Sequence, residues 1–167
     1  MGKVILICGK IGSGKTTYAK KLAEELQAVN ISQDELMLGL FGAELYNNEP
    51  DEYEKYSSKV EYYVKRKAGE AARAGAIVIC ENGFWLRSER DALRSFYRAM
   101  GVSCELHYMD TPEDVRLQNI RFRNDAIRQG NLDFFLADER DVTHPFEIPD
   151  DCEIDVIVKW KSNYIRK

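Results

Sequence analysis

Several features that would define a class of protein are missing from this sequence of 167 residues. No apolar run approaches the ~20 residues of a membrane-spanning helix, and the chain opens directly into a strand-like segment, so we expect neither a membrane partner nor a secretory signal. Its four cysteines form no C-x-x-C pair and have no zinc-ligand spacing. Three of them lie in apolar, strand-like runs, which favours small buried side chains and a cytoplasmic location.

The sequence also lacks an excess of basic residues. Its formal net charge is −4 and its isoelectric point is about 5.3. Proteins dedicated to polynucleotides usually carry a basic surface, because neutralising phosphates supplies much of their affinity. The charge therefore disfavours nucleic acid as a partner. The length and the 44% hydrophobic composition predict one domain over residues 1–167 with a single core.

A glycine-rich motif near the amino terminus carries the most specific signal. It is Gly9-Lys10-Ile11-Gly12-Ser13-Gly14-Lys15-Thr16, which matches the phosphate-binding loop (P-loop) pattern G-x-x-x-x-G-K-[ST]. An apolar strand-like run precedes the motif, and apolar residues at helical spacing follow it. Glycines let the backbone wrap a polyphosphate with its N–H groups pointing inward, and a helix start adds further donors. The alternative is a glycine-rich turn between strand and helix that binds nothing.

The motif also assigns roles to individual residues. We expect residues 9–17, ending at Thr17, to hold the nucleotide, with Lys15 at the β- and γ-phosphates and the Thr16 hydroxyl on Mg²⁺. The sequence contains neither an [NT]-K-x-D guanine motif nor the L-S-G-G-Q signature of transporter ATPases. ATP and Mg²⁺ are therefore the expected ligands.

Short apolar runs alternate with helical patterns along the chain. Strands are predicted at residues 4–8, 29–32, 76–80, 102–109 and 154–158, and helices at 15–28, 34–41, 51–74, 88–100 and 112–128. Thr111 is the expected N-cap of the last helix, with Pro112 as its first residue. We predict a polar loop at 42–50 and an irregular stretch at 129–152. This alternation indicates an α/β fold, a three-layer α/β/α P-loop NTPase with a nucleotide-kinase-like, five-stranded parallel sheet. Ligands of such sheets bind at the carboxyl ends of the strands.

Two acidic residues follow predicted strands at that edge. Ser32 and Glu35 have the spacing of a capping box, and Asp34 lies between them. Asp34 is a candidate to accept the proton of an attacking hydroxyl, or else it belongs only to the cap. Glu81 ends the third strand and is a candidate to hold a magnesium-bound water or the acceptor hydroxyl. The alternative for Glu81 is a polar residue facing solvent.

Arginines cluster near the predicted fifth helix, at positions 116, 121, 123 and 128. We interpret the region of about 121–150 as a small lid, whose arginines close over the triphosphate and stabilise the charge of transfer. The alternative is a solvated basic face. A second stripe, at positions 87, 90, 94 and 98, is interpreted as such a solvated face, opposite the apolar residues Leu93, Phe96 and Met100.

The motifs together resemble a known kinase group. Gly9–Thr16, followed by Asn30-Ile31-Ser32-Gln33-Asp34, resembles the kinase domain of phage-type polynucleotide 5′-hydroxyl kinases and the wider group of zeta-toxin-like and chloramphenicol-phosphotransferase-like kinases. The resemblance implies that Asp34 is the general base and that Arg123, a fixed distance after Asp110-Thr111-Pro112, is the lid arginine. It also implies a functional acidic residue at Glu81, where aspartate is usual.

The sequence departs from the polynucleotide kinases at the acceptor side. Those kinases carry an arginine three residues after the catalytic aspartate, and this chain has Met37 there. Acidic residues also populate this region, namely Glu44, Glu49, Asp51, Glu52 and Glu54. We therefore expect Mg·ATP-dependent transfer of the γ-phosphate to a hydroxyl of a small, uncharged or cationic molecule, with Arg121 and Arg123 in the lid. A polynucleotide 5′-hydroxyl kinase and an ATP-binding switch without transferase activity remain the alternatives.

Overall fold

The protein is described by a computed structural model that covers residues 2–132, 134–137 and 145–159. The strands are β1 (Lys3–Cys8), β2 (Val29–Ser32), β3 (Ile77–Gly83), β4 (Ser103–Asp110) and β5 (Val156–Lys159). The helices are α1 (Lys15–Leu26), α2 (Gln33–Asn48), α3 (Pro50–Arg73), α4 (Arg87–Ala99) and α5 (Glu113–Arg128). Within the described part of the chain, no helix is both long and apolar enough to cross a membrane.

The five strands form one parallel sheet in the order β2-β3-β1-β4-β5. The central strand β1 pairs with β3 on one side and with β4 on the other, and its residues Val4 to Cys8 are fully buried. A strand covered on both faces has to be apolar throughout, which explains its continuous hydrophobic run. The predicted α/β class and parallel five-stranded sheet are confirmed.

Two apolar clusters lie on opposite faces of the sheet. On one face Val4, Leu6 and Leu106 pack with side chains of α3 and α4. On the other, Ile5 and Ile7 pack against α1. Alternate residues of one strand therefore anchor different helices, which produces the three predicted layers.

The region between α2 and α3 differs from the prediction. The expected polar loop at 42–50 is wrong, since α2 continues to Asn48 and breaks only at Gly42, where φ is +73°. Beyond the break, the Tyr46 ring packs edge to face on Tyr53 at 4.9 Å between centroids. This contact between helices supports a helical turn that the polar local sequence does not indicate.

The basic stripe at positions 87, 90, 94 and 98, which lies on α4, also differs from the prediction. Arg90 is fully buried, and it donates hydrogen bonds to the Glu153 carboxylate at 2.9 Å and to the carbonyls of Phe84 and Glu147 at 3.1 Å. Arg94 pairs with Asp155 at 3.3 Å. The interpretation of this stripe as a solvated face is therefore wrong for Arg90 and Arg94, because the segment after residue 145 covers them, whereas Arg87 and Arg98 are exposed.

Candidate active site

The P-loop joins β1 to α1. Strand β1 lies at the centre of the sheet, with β2 and β3 on one side and β4 and β5 on the other, so the P-loop lies where the chain changes from one side of the sheet to the other. Residues 9–14 form the turn, and Lys15, Thr16 and Thr17 begin α1. Gly12 has a φ of +77°, and a Cβ atom there would lie 2.6 Å from the Arg116 carbonyl oxygen. A Cβ atom at Gly9 would lie 2.7 Å from the Ser13 hydroxyl. Glycine is therefore required at both positions.

Helix α5 and the residue before its cap hold the loop in place. Arg116 donates a hydrogen bond to the Ile11 carbonyl at 2.6 Å, and Asn119 donates one to the Gly12 carbonyl at 2.9 Å. The Thr111 hydroxyl donates to the Ser13 carbonyl at 2.9 Å. Three successive loop carbonyls are thus occupied, so the loop conformation is fixed by tertiary contacts as well as by its glycines.

Two predictions about this region change accordingly. Arg116 was grouped with the lid arginines, but it is buried and supports the P-loop. Thr111 was expected to cap the fifth helix with Pro112 as its first residue, but the helix begins at Glu113 and Pro112 is the cap residue. Asn119 was missed, and its only signal in the sequence is its place on the second turn of the helix that follows Asp110-Thr111-Pro112.

The Lys15 ammonium lies at the centre of the site. It donates hydrogen bonds to the carbonyls of Gly9 at 2.8 Å and Lys10 at 3.0 Å. Burial lowers the pKa of Lys15 from 10.5 to about 8, although the charges of Asp34 and Glu81 oppose this shift. The Arg123 charge adds to the lowering of the pKa. The structure therefore brings two acidic candidates and one arginine candidate within electrostatic reach of the P-loop lysine.

Glu81 and Thr16 form the second part of the site. Glu81 is 4% exposed, which excludes the solvent-facing alternative. Burial raises the pKa of its carboxyl group, and side-chain hydrogen bonds from Thr16 and Asn30 oppose that rise. A hydroxyl beside a carboxylate offers the oxygen ligands that Mg²⁺ prefers, with polyphosphate oxygens completing the set.

Asp34 lies in the first turn of α2. The Ser32 hydroxyl accepts a hydrogen bond from the Glu35 N–H at 3.3 Å, so the predicted cap is present. The Glu35 carboxylate does not complete the capping box in the expected way, because it pairs with Lys20 at 2.7 Å. The cap fixes the backbone from which the exposed Asp34 carboxylate projects.

The arginines of α5 separate into different environments. Arg123 is half-buried, and its guanidinium carbon lies 5.4 Å from the Phe134 ring centroid. Arg121 is exposed, and Arg128 is exposed and pairs with Asp125 at 3.4 Å. The lid role of Arg121 stays a prediction. Part of the predicted lid, residues 133 and 138–144, lies outside the described residues.

Two features of the acceptor side are clear in the structure. Met37 is fully buried in the core, so this position presents no side chain to a ligand. The acidic residues at positions 44, 49, 51 and 54 are exposed, and Glu52 pairs with Lys55 at 3.0 Å. These carboxylates therefore lie in solvent at the α2–α3 junction.

The site fits a nucleotide polyphosphate with Mg²⁺. The Ser13 hydroxyl is buried and has no hydrogen-bond partner among the described residues. The loop also offers the Lys15 ammonium, and its tight packing against α5 and Ser13 depends on Gly12 and Gly9. A buried hydroxyl without a partner and a positive charge at the start of a helix are features that suit a phosphate group.

Comparisons with known proteins agree with this geometry. A family model described as an AAA domain matches residues 4–137. No curated protein sequence matches at a significant level. Similar solved structures include the Mycobacterium tuberculosis APS kinase CysC in complex with AMPPNP and APS, with 20% identity, coverage of 95% of this chain and 88% of that chain, and a TM-score of 0.66.

Two further structures have the same fold. A sugar kinase from Janibacter sp. HTCC2649 shows 17% identity, coverage of 95% of this chain and 86% of that one, and a TM-score of 0.64. Shikimate kinase from Aquifex aeolicus shows 20% identity, coverage of 93% and 85%, and a TM-score of 0.54. The predicted three-layer P-loop fold is therefore confirmed, and the chain belongs to the AAA domain family.

Proposed function

We propose that this protein is a Mg·ATP-dependent phosphotransferase that moves the γ-phosphate to a hydroxyl group of a small-molecule acceptor. The observation that carries the proposal is that Asp34, Glu81 and Arg123 all lie within electrostatic reach of the Lys15 ammonium. A P-loop alone would support nucleotide binding. A carboxylate and an arginine near the P-loop supply the two further groups that phosphoryl transfer needs.

Each residue has a distinct task in this proposal. Residues 9–17 would hold the polyphosphate, and Thr16 together with Glu81 would hold Mg²⁺. When bound, Mg²⁺ neutralises charge that develops on the transferred phosphoryl group. Asp34 orients the acceptor hydroxyl and takes its proton, which requires an ionised carboxylate. Arg123 of α5 stabilises the charge that develops on the phosphoryl group and excludes water, with Arg121 of the same helix as the second lid arginine.

A small acceptor is favoured over a polynucleotide by the acceptor side of the site. Met37 is buried where the polynucleotide kinases use an arginine. APS kinase, the sugar kinase and shikimate kinase are named for small substrates, and they share this fold. The exposed carboxylates at the α2–α3 junction add negative charge, which disfavours a polyanion.

A transfer screen with ATP labelled at the γ-phosphate tests the proposal. The acceptors are metabolites, antibiotics, nucleosides and a 5′-hydroxyl oligonucleotide, and the Lys15→Ala protein is the blank. We expect label on at least one small acceptor with the natural protein and none with the blank. Label only on the oligonucleotide, with strong salt sensitivity, would indicate a polynucleotide kinase instead. Slow hydrolysis without any labelled acceptor would indicate an ATP-binding switch.

A further inference from the structure

Helices α2 and α3 follow each other directly, and we call them the α2–α3 hairpin. A cluster of aromatic rings joins the end of this hairpin where the two helices meet to the segment after α5. Phe135 is 6% exposed, and its ring centroid lies 5.1 Å from that of Tyr46 and 5.6 Å from that of Tyr53. We call Tyr46, Tyr53 and Phe135 the aromatic latch. Because aromatic pairs at these distances attract each other beyond simple burial, the latch holds Phe135 against both helices of the hairpin.

The residues around Phe135 are also fixed to α5. The buried Asn124 side chain donates a hydrogen bond to the Ala137 carbonyl at 2.8 Å and accepts one from the Ala137 N–H at 3.1 Å. One side-chain amide thereby satisfies both backbone groups of Ala137. We call residues 134–137 the bridging segment, since Asn124 anchors one part of it and the latch anchors another.

The bridging segment contacts the arginine of the candidate site. Phe134 lies 5.2 Å from Phe135 between ring centroids, and the Arg123 guanidinium carbon lies over the Phe134 ring. Cation–π attraction depends on the cation lying over the ring face, so the position of Phe134 restricts the position of the guanidinium. Arg123 is thus connected through two phenylalanines to the hairpin whose first helix carries Asp34.

We propose that the aromatic latch is a positioning device for Arg123. Phe135, docked between Tyr46 and Tyr53, holds Phe134 against the guanidinium. The helix that carries Asp34 and the helix that carries Arg123 are thereby set relative to each other. The catalytic consequence rests on the proposed function, whereas the mechanical connection between hairpin and bridging segment does not.

Hydrogen exchange in the free protein tests the mechanical connection. Tyr53→Ala removes one ring of the latch, so we expect the Ala137 amide to exchange at least about tenfold faster. Tyr53→Phe keeps the ring contacts of the latch, so its Ala137 amide is expected to exchange much closer to the rate of the natural protein than that of Tyr53→Ala. Tyr62→Ala is the matched control, because Tyr62 lies on the same helix and is 60% exposed.

Phe135→Leu provides a second variant that keeps an apolar side chain and loses the ring contacts. Faster exchange of the Ala137 amide is expected here too. Unchanged exchange in both Tyr53→Ala and Phe135→Leu, with folded proteins by circular dichroism, would overturn the proposal. This measurement needs neither ATP nor an acceptor, so it stands even where the proposed function fails.

A double-mutant cycle tests the action through Arg123. Displacing a catalytic group by about 1 Å lowers turnover by about 100-fold, and we expect a loss of up to that size in kcat for Tyr53→Ala, with a small change in KM for ATP. In the Arg123→Ala background, Tyr53→Ala is expected to cause no further loss, because the group that it positions is gone. If the losses of kcat caused by Tyr53→Ala and by Arg123→Ala add up in the double variant, the latch does not act on turnover through Arg123.

Discussion

The Lys15 ammonium lies half-buried in the P-loop, and this has a consequence for stability. Burial lowers its pKa to about 8, against 10.5 in the unfolded chain. Between those two values the unfolded chain binds more protons than the folded one, so this group makes the folded state more stable as pH rises through that range. Below pH 8 the buried charge destabilises the fold by about 3 kcal/mol.

Replacing Lys15 by methionine is therefore expected to stabilise the protein while it abolishes nucleotide binding. At pH 7 the free energy of unfolding in urea should rise by up to about 3 kcal/mol, and the gain should shrink towards pH 10. Lys21→Met, at an exposed position of the same helix, is the control and should change stability little. A loss of stability of equal size at both pH values would contradict the prediction.

Asp34 and Glu35 are adjacent carboxylates with different expected roles. Asp34→Asn should keep ATP affinity and lower transfer by about 10²–10⁴-fold, because a carboxamide cannot take the acceptor proton. Glu35→Gln is the matched control, since Glu35 pairs with Lys20 at the surface and its loss should leave transfer nearly unchanged. Calorimetry with ATP and the labelled transfer assay measure the two effects separately. Normal transfer by Asp34→Asn would remove Asp34 from the mechanism.

At the scale of elements, the contact between the P-loop and α5 decides whether the site is formed. The loop contains the glycines, and Arg116 and Asn119 of α5 donate hydrogen bonds to the carbonyls of the loop. Neither element alone determines the loop conformation, because the glycines permit many conformations and the donors select one. We therefore expect α5 substitutions facing the loop to weaken nucleotide binding without altering any residue of the motif.

Two glycine-to-alanine substitutions test this contact. Gly12→Ala places a Cβ atom 2.6 Å from the Arg116 carbonyl oxygen at a positive φ, so we expect lower stability and weaker ATP binding. Gly39→Ala, in α2, has nothing within 4 Å of the added atom and should stabilise the protein by about 0.5–1 kcal/mol. Thermal unfolding and calorimetric ATP titration provide the measurements. Equal effects of the two substitutions would show that α5 does not restrict the loop.

At the scale of the whole molecule, a buried ion pair fastens the last part of the described chain to the sheet. Arg90 is fully buried and Glu153 is 4% exposed, and they meet at 2.9 Å. Arg90 also holds the Phe84 carbonyl, just after β3. The pair therefore connects the edge of the candidate site with the segment that leads into β5.

Breaking this pair is expected to destabilise the fold strongly. Glu153→Gln leaves the Arg90 charge buried without its counterion, and the free energy of unfolding should fall by about 3–5 kcal/mol. Asp150→Asn is the control, because its ion pair with Arg87 is exposed and should contribute at most about 1 kcal/mol. Urea unfolding at pH 7 compares the two variants. Similar small losses in both would mean that the buried pair is not a main support of the fold.

Local sequence was sufficient for the features that neighbouring residues decide. The motif from Gly9 to Thr16 predicted the P-loop, because its backbone conformation depends on glycines within eight residues. The Ser32 cap and the apolar run of β1 were predictable for the same reason, since a cap bond spans three residues and burial on both faces requires an unbroken hydrophobic strand. The α/β class followed from the alternation of such elements.

The tertiary structure alone decided which polar residues are buried and which rings meet. Nothing near Arg90 in the sequence indicates Glu153, which lies 63 residues away, and Arg116 meets the Ile11 carbonyl across 105 residues. Phe135 likewise finds Tyr46 and Tyr53 only when the chain returns to the hairpin. The sequence by itself determined the P-loop, because that conformation depends on local backbone geometry. The fold decided that Asp34, Glu81 and Arg123 lie within electrostatic reach of Lys15, because side chains from distant segments are brought together only by packing.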